Sequence, residues 1–528
     1  MKRLGWALLL LAGNLCAQKF YADDPLESEP AQRPVGELQR RKLSDYYDFV
    51  SHQFGTPGER QPKSGTPIRA QGVNTLGEPM QGPWWVKRHY YERMSLQQLR
   101  NGPGPRTVPA PGRWKVQSIK NEGVTPGFVI LDSQNRRFYL KFDPITNPEM
   151  ATAADAITSR LFYAMGYHVP ENNVVHFTRD QLEVSEDVDA GPQAKEMKSR
   201  AITEVLMKVK QSPDGSYRVT ASLALPGRTI GPPRYFGTRS DDPNDIVPHE
   251  HRRELRGLGI FAAWLDHNDS RSINSLDTLV QGDGSTYIRH HLIDFGSTLG
   301  SLSTSAKTAR SGGEYYLDFK AAPKQIGTLG FAVPYWAHAH YPGYPSVGGF
   351  EAETFEPDKW VPDYPNPAFL NRLPDDEFWA AKQIMAFTDE QVRAIVKIAQ
   401  FSDPSAERFV GDALITRRDK IGRVFLTRVL PLDRFAVENG QIVFHDLGQE
   451  HGIGAEGGLH VTWSRFDNKT GDRTPIATAQ DFHVPVDGSG SSYLAANIWR
   501  GDDTAKAVTV FLRLTGTQAE VVGVDRTW

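Results

Sequence analysis

The chain has 528 residues, with 60 Lys+Arg against 63 Asp+Glu, a net charge of −3. That length implies more than one domain, and a near-neutral balance excludes an electrostatic clamp for nucleic acid. Its one cysteine, Cys16, excludes a disulfide scaffold, a Cys-based zinc site and an iron–sulfur cluster.

Lys2 and Arg3 precede a short apolar run, Leu4 to Ala12, with the small residue Ala17 offering a cleavage point. This pattern predicts a secretory signal peptide over 1–17 and an exported protein, periplasmic or extracellular. Lipid anchoring at Cys16 is disfavoured, because Leu15 stands where a small residue is required. No later stretch reaches transmembrane length. Residues 18–112 are rich in Pro, Gly and charge. They read as an extended arm, with short helices within Gly36–Phe54 and Ser95–Arg100.

From Trp114 the pattern turns to strands. Trp114–Glu122, Phe128–Asp132 and Arg137–Phe142 alternate between turns and predict an antiparallel meander. A helix follows, opened by Asn147-Pro148 and stopped by Gly166, with Met150, Ala154, Ile157, Leu161 and Met165 at helical spacing. Ile202–Lys210 and Ser216–Leu225 read as two strands joined by a Ser212-Pro-Asp-Gly turn. Arg252–Leu265 is helical. Ser275–Val280 and Thr286–Ile293 form a separate strand pair. Within 376–425, Thr388 and Gln391 make a capping box, and Asp403-Pro404 opens another helix. The tail, Gln441–Trp528, alternates again and reads as a small β domain.

Three pieces carry chemistry, in this order: Lys141 on the third strand, Asp269-Ser-Arg-Ser-Ile-Asn274 after an apolar helix, and Asp294-Phe-Gly-Ser after the late hairpin. Phosphate transfer needs a Lys for the phosphates, an Asp for the acceptor hydroxyl, and oxygen ligands for Mg²⁺. A spacing of five positions from Asp269 to Asn274 can set both on one loop. The hairpin can return Asp294 to the same ion. Asp266 is a second carboxylate in the loop, and its place suggests structuring or substrate contact. His249-Glu-His251 lacks the second His of a zinc-protease motif, and neither a serine-hydrolase elbow nor a P-loop is present.

These strings resemble the atypical protein-kinase-like superfamily: HipA-type kinases, phosphatidylinositol kinases, spore-coat CotH kinases and secretory-pathway kinases. The catalytic loop of that superfamily reads roughly D-x-H-x-x-N, followed by D-F-G or D-x-G. Here Arg271 stands where many relatives carry His. Gly-Val-Thr-Pro-Gly-Phe, His-Glu-His-Arg-Arg-Glu-Leu and Asp-Phe-Gly-Ser-Thr-Leu-Gly-Ser also look like a group of secreted bacterial proteins, a likeness that supplies no activity.

The resemblance covers about 113–425 and implies an α+β, two-lobed kinase-like fold with a C-terminal all-β domain. The antiparallel-sheet N-lobe would occupy 113–230, the mainly helical C-lobe 231–430 and the β domain 431–528. By the same resemblance Lys141 binds phosphates, with Glu149, or in second place Asp155, as its helix partner. Gly123, Thr125 and Gly127 form a loop over the nucleotide. Asp269 is the catalytic base, and Asn274 and Asp294 hold the metal. The implied activity is phosphoryl or nucleotidyl transfer from ATP or another nucleotide, with Mg²⁺ or Mn²⁺, to a protein or small-molecule acceptor. The alternative is a non-catalytic kinase-like binding or envelope-scaffold protein.

Overall fold

The computed structural model describes residues 18–120, 125–184, 192–282, 284–319, 327, 333–454, 456–476, 481–485, 491–516 and 518–528. The leader over 1–17 and Gly123 lie outside the described residues. The chain is a mixed α/β protein. No helix among the described residues is long and apolar enough to cross a membrane.

The arm holds two short helices, α1 (Asp45–Val50) and α2 (Leu96–Asn101). The sequence expectation over 36–54 is therefore too long: the helix begins only at the Ser44 cap, and a single π-turn, Ser51–Gly55, follows it. The arm is tied down through its own backbone. Val35 N–H donates to Thr286 O at 3.0 Å, Arg41 N–H to Ile230 O at 2.8 Å, and Gln71 N–H to His251 O at 2.7 Å. Such pairing satisfies backbone groups that would otherwise be stranded against strand edges.

Six strands form the first sheet: β1 (Trp114–Lys120), β2 (Gly127–Leu131), β3 (Arg137–Phe142), β4 (Asn172–Phe177), β5 (Leu182–Val184) and β6 (Tyr217–Leu223). A helix α3 (Met150–Ala164) intervenes between β3 and β4, and a helix α4 (Pro192–Leu206) between β5 and β6. The order is β4-β6-β3-β2-β1-β5, and β1 to β3 make the expected meander. α3 starts two residues later than its Asn-Pro signal suggests, because Glu149 at the cap is left-handed (φ 72°). It stops at Gly166, which also has positive φ (102°). A Cβ there would collide with the Trp85 indole.

One sequence expectation reverses. Residues 202–206 close a helix, α4, rather than opening a strand. Ile202, Val205, Leu206 and Val209 are all buried, at i, i+3, i+4 and i+7, which is helical spacing. The Ser212–Gly215 turn stands as expected, and β6 follows it.

The hairpin β8 (Ser275–Gln281) and β9 (Thr286–Leu292) is not isolated, because β7 (Arg228–Gly231) pairs with β8. Around it stand α5 (Arg253–Trp264), α6 (Pro367–Leu370), α7 (Pro374–Met385), α8 (Asp389–Val396) and α9 (Pro404–Phe425). Their apolar faces share one core with α3, Trp84 and Trp85. Thr388 and Gln391 form the capping box, and Asp403 caps α9 with Pro404 at its first position.

The tail pairs β10 (Leu432–Glu438) with β11 (Gln441–Asp446), then has a one-turn helix α10 (Leu447–Glu450). Five antiparallel strands follow: β12 (Leu459–Phe466), β13 (Arg473–Ile476), β14 (Tyr493–Arg500), β15 (Asp503–Thr515) and β16 (Gln518–Arg526), in the order β13-β12-β14-β15-β16. Residues of both tail sheets share a separate apolar core. Phe20 of the arm packs on the outer face, 5.1 Å from the Phe511 ring.

Candidate phosphate-transfer site

Lys141 sits near the end of β3, between the buried Leu140 and Phe142. Alternation along the strand therefore turns it away from the sheet's own core. Opposite it in register is Gly127, where a Cβ would collide with the Leu140 carbonyl oxygen. The Lys141 ammonium donates to Asp294 Oδ1 at 2.8 Å, and Asp155 Oδ2 lies 3.9 Å away. Burial alone would lower the pKa of this ammonium. Asp155 and Asp294 outweigh burial, and the shift is upward.

Asp155 is the one carboxylate within α3, and it is 1% exposed. Its Oδ1 accepts from Asn172 Nδ2 at 2.9 Å and from Phe295 N–H at 3.1 Å. Its Oδ2 accepts no hydrogen bond among the described residues. Burial, with the opposing pull of Lys141 and the added push of Asp294, moves its pKa up.

Asp294 itself is left-handed (φ 62°), a conformation Asp tolerates. That bend ends β9 and starts a 3₁₀ turn, Phe295–Ser297. Phe295 is buried and stacks on Phe162 of α3, with ring centroids 5.3 Å apart. The aromatic anchor thus fixes where the Asp294 carboxylate points.

The loop after α5 supplies the other groups. Asn274 Nδ2 donates to the Asp269 carbonyl at 2.6 Å, and Asn274 O accepts from Ile293 N–H at 3.0 Å. The loop is thereby stitched to the residue before Asp294. With the amide nitrogen committed, the Asn274 side-chain oxygen is the atom left for a cation.

Asp269 accepts from Ser297 Oγ at 3.3 Å and forms an ion pair with Arg271. Burial pushes Asp269 up to about 7, against the pull of Arg271 and with help from Asp363. A carboxylate near that value suits a general base at neutral pH. Asp266 takes a different part: it is buried and pairs with Lys307 at 3.2 Å and with Trp360 Nε1 at 3.2 Å. It holds the loop.

So Lys141 pairs with Asp294, and the loop that carries Asp269 and Asn274 is hydrogen-bonded to Ile293 and Ser297 on either side of Asp294. Thr125 lines a small cavity with Lys141 and Asp155. Glu149 is corrected as the partner of Lys141: its left-handed cap turns it outward, and Oε2 accepts from Ser402 N–H at 2.9 Å. Asp155 stands beside Lys141 instead. The signal for Asp155 was that it is the one carboxylate within α3.

Sequence reasoning named Asp155 in second place and missed His267, buried between Phe162 and Phe295 with both ring centroids at 6.2 Å. Lys141 and Asp294 line a cleft of about 870 Å³. Phe128, Leu225 and Leu276 give it apolar walls. That size is within the range of small-ligand sites.

His267 gives a pH prediction. Burial holds it down to about 3, against about 6.5 in an unfolded chain. Between those values the unfolded state binds the extra proton, so stability is present above pH 6.5 and falls as pH drops. The slope is up to about 1.4 kcal/mol per pH unit for this group. Asp269 and Asp277, both pushed up to about 7 by burial, act in the opposite sense below pH 7. The difference between wild type and His267→Phe isolates the histidine. Urea unfolding at pH 7 and pH 5 should show a smaller acid loss in the variant, and equal losses would refute the assignment.

No family model matches the chain, and no curated protein matches it. Among solved structures, the chain is similar to that of the Helicobacter pylori proinflammatory kinase CtkA. The identity is 12% and the TM-score 0.31, over 59% of this chain and 95% of that one. At that TM-score the likeness bears no weight on function, which must be read from the side chains of the cleft.

Proposed function

We propose that this protein is an exported, two-lobed kinase-like phosphotransferase that uses a nucleotide such as ATP with Mg²⁺ or Mn²⁺. The observation that carries the reading is the 2.8 Å bond between Lys141 and Asp294, 153 residues apart, in the lining of a cleft of about 870 Å³. Asp155 stands behind the Lys. Asp269 and Asn274 stand on the neighbouring loop. The apolar walls accept a base, and Lys141 supplies positive charge to the phosphates.

Among the described residues no group of three or more His, Cys, Asp or Glu could hold a metal ion. A Mg²⁺ site of one carboxylate and one amide, completed by substrate phosphates and water, needs no such group. Asp294 and Asn274 would hold the ion, whose role is to offset charge on the phosphates. Asp269 takes the proton of an acceptor hydroxyl. The new oxygen–phosphorus bond forms as the bond from the γ-phosphorus to the β-phosphate oxygen breaks.

The test is thermal unfolding of the purified chain with Mg²⁺ or Mn²⁺ and ATP. Wild type should be stabilised and should release or transfer label from γ-labelled ATP. Asp294→Ala should lose the nucleotide-dependent shift. No shift in wild type at saturating nucleotide would overturn the reading in favour of a non-catalytic binding protein.

A further inference from the structure

We propose that the N-terminal arm supplies a positioning residue, Asp45, that fixes the acceptor end of the site through Arg271. The inference rests on the phosphotransfer reading. Arg271 stands between two carboxylates. Its Nη1 donates to Asp45 Oδ1 at 2.7 Å, and its Nε side pairs with Asp269. The guanidinium is a rigid planar fork, so fixing one edge aims the other. Without Asp45 the long side chain regains rotamer freedom and the aim at Asp269 is lost.

The arm makes a second contact one turn along α1. Asp48, 3% exposed, accepts from Tyr364 Oη at 2.7 Å, and the Tyr364 ring lies 5.8 Å from the Arg271 guanidinium. Residues 45 and 48 share one helix face. His52 Nδ1 lies 2.8 Å from the Asp48 carbonyl oxygen and is itself buried. α1 and its following turn therefore grip the catalytic loop with two carboxylates, one on the Arg and one on the ring beside it. The arm is an acceptor-side wall of the active site, 226 residues away in sequence from the Arg it holds.

Asp45 is the place to test this, because its side chain is 57% exposed and removing it strands no buried group in α1. The purified chain is assayed with Mg²⁺ and γ-labelled ATP, with water as the acceptor. Asp45→Ala should lower kcat about 10-fold, a cost expected of misaimed groups. The KM for ATP and the nucleotide-induced thermal shift should stay at wild-type values. Asp45→Glu should restore most of kcat. Wild-type kcat in Asp45→Ala, or no recovery in Asp45→Glu, would overturn this inference alone. A wild-type chain that neither binds nor turns over ATP would overturn both it and the phosphotransfer reading.

Discussion

Replacing Asp269 by Asn is expected to slow phosphoryl transfer by about 10²–10⁴-fold, the usual worth of a positioned general base. The amide keeps the volume but has no lone pair basic enough to take the acceptor proton. Nucleotide binding should survive, because Asp269 faces Ser297 and Arg271 rather than Lys141. The contrast with Asp294→Ala separates the two roles: one variant binds without turning over, the other loses the nucleotide shift. Equal turnover in Asp269→Asn and wild type would remove Asp269 from the chemistry.

The largest effect on stability should come from Asp433→Ala. Asp433 on β10 accepts from Tyr90 Oη at 2.5 Å, from Lys382 Nζ at 2.9 Å and from Arg526 Nη2 at 3.1 Å. These partners lie in the arm, α7 and β16, so one carboxylate ties the arm, the helical body and the tail sheet together. Burial would raise its pKa, but Lys382 and Arg526 outweigh burial and hold it down to about 2.

Removing it leaves two buried cations near each other with one fewer counter-charge. Breaking such a pair costs about 3–5 kcal/mol. Chemical denaturation of Asp433→Ala should show a loss of that order, with the tail or the arm released first. A loss below about 1 kcal/mol would show that Glu78, which also pairs with Lys382, carries the network alone.

Much of the candidate site was legible along the chain. Lys141 could be placed because its strand alternates cleanly, and Asn274 and Asp294 because a loop and a hairpin leave few directions for the chain to return. The capping box at Thr388 and the cap at Asp403 were legible for a local reason: each is satisfied by backbone groups two or three residues away. Gly127 and Gly166 were visible as turn and stop signals, though the neighbours that exclude a side chain there were not.

Other features were decided by contacts between distant segments. Glu149 and Asp155 are both acidic and near the start of one helix. A single left-handed residue at the cap sends the first to Ser402 and leaves the second beside Lys141. The stretch after Ala201 is rich in β-branched and apolar residues, so its local bias fits a strand. Packing of Ile202, Val205 and Leu206 into the first sheet's core makes it helix instead.

The arithmetic of one cysteine already meant a fold held by its core rather than by disulfides. Which charges meet was not in that arithmetic. Asp45 with Arg271, and Asp433 with Lys382 and Arg526, are pairings across tens to hundreds of residues. Local propensity reaches only a few residues, whereas electrostatic and packing energies depend on distance in space, so only the folded chain could choose those partners.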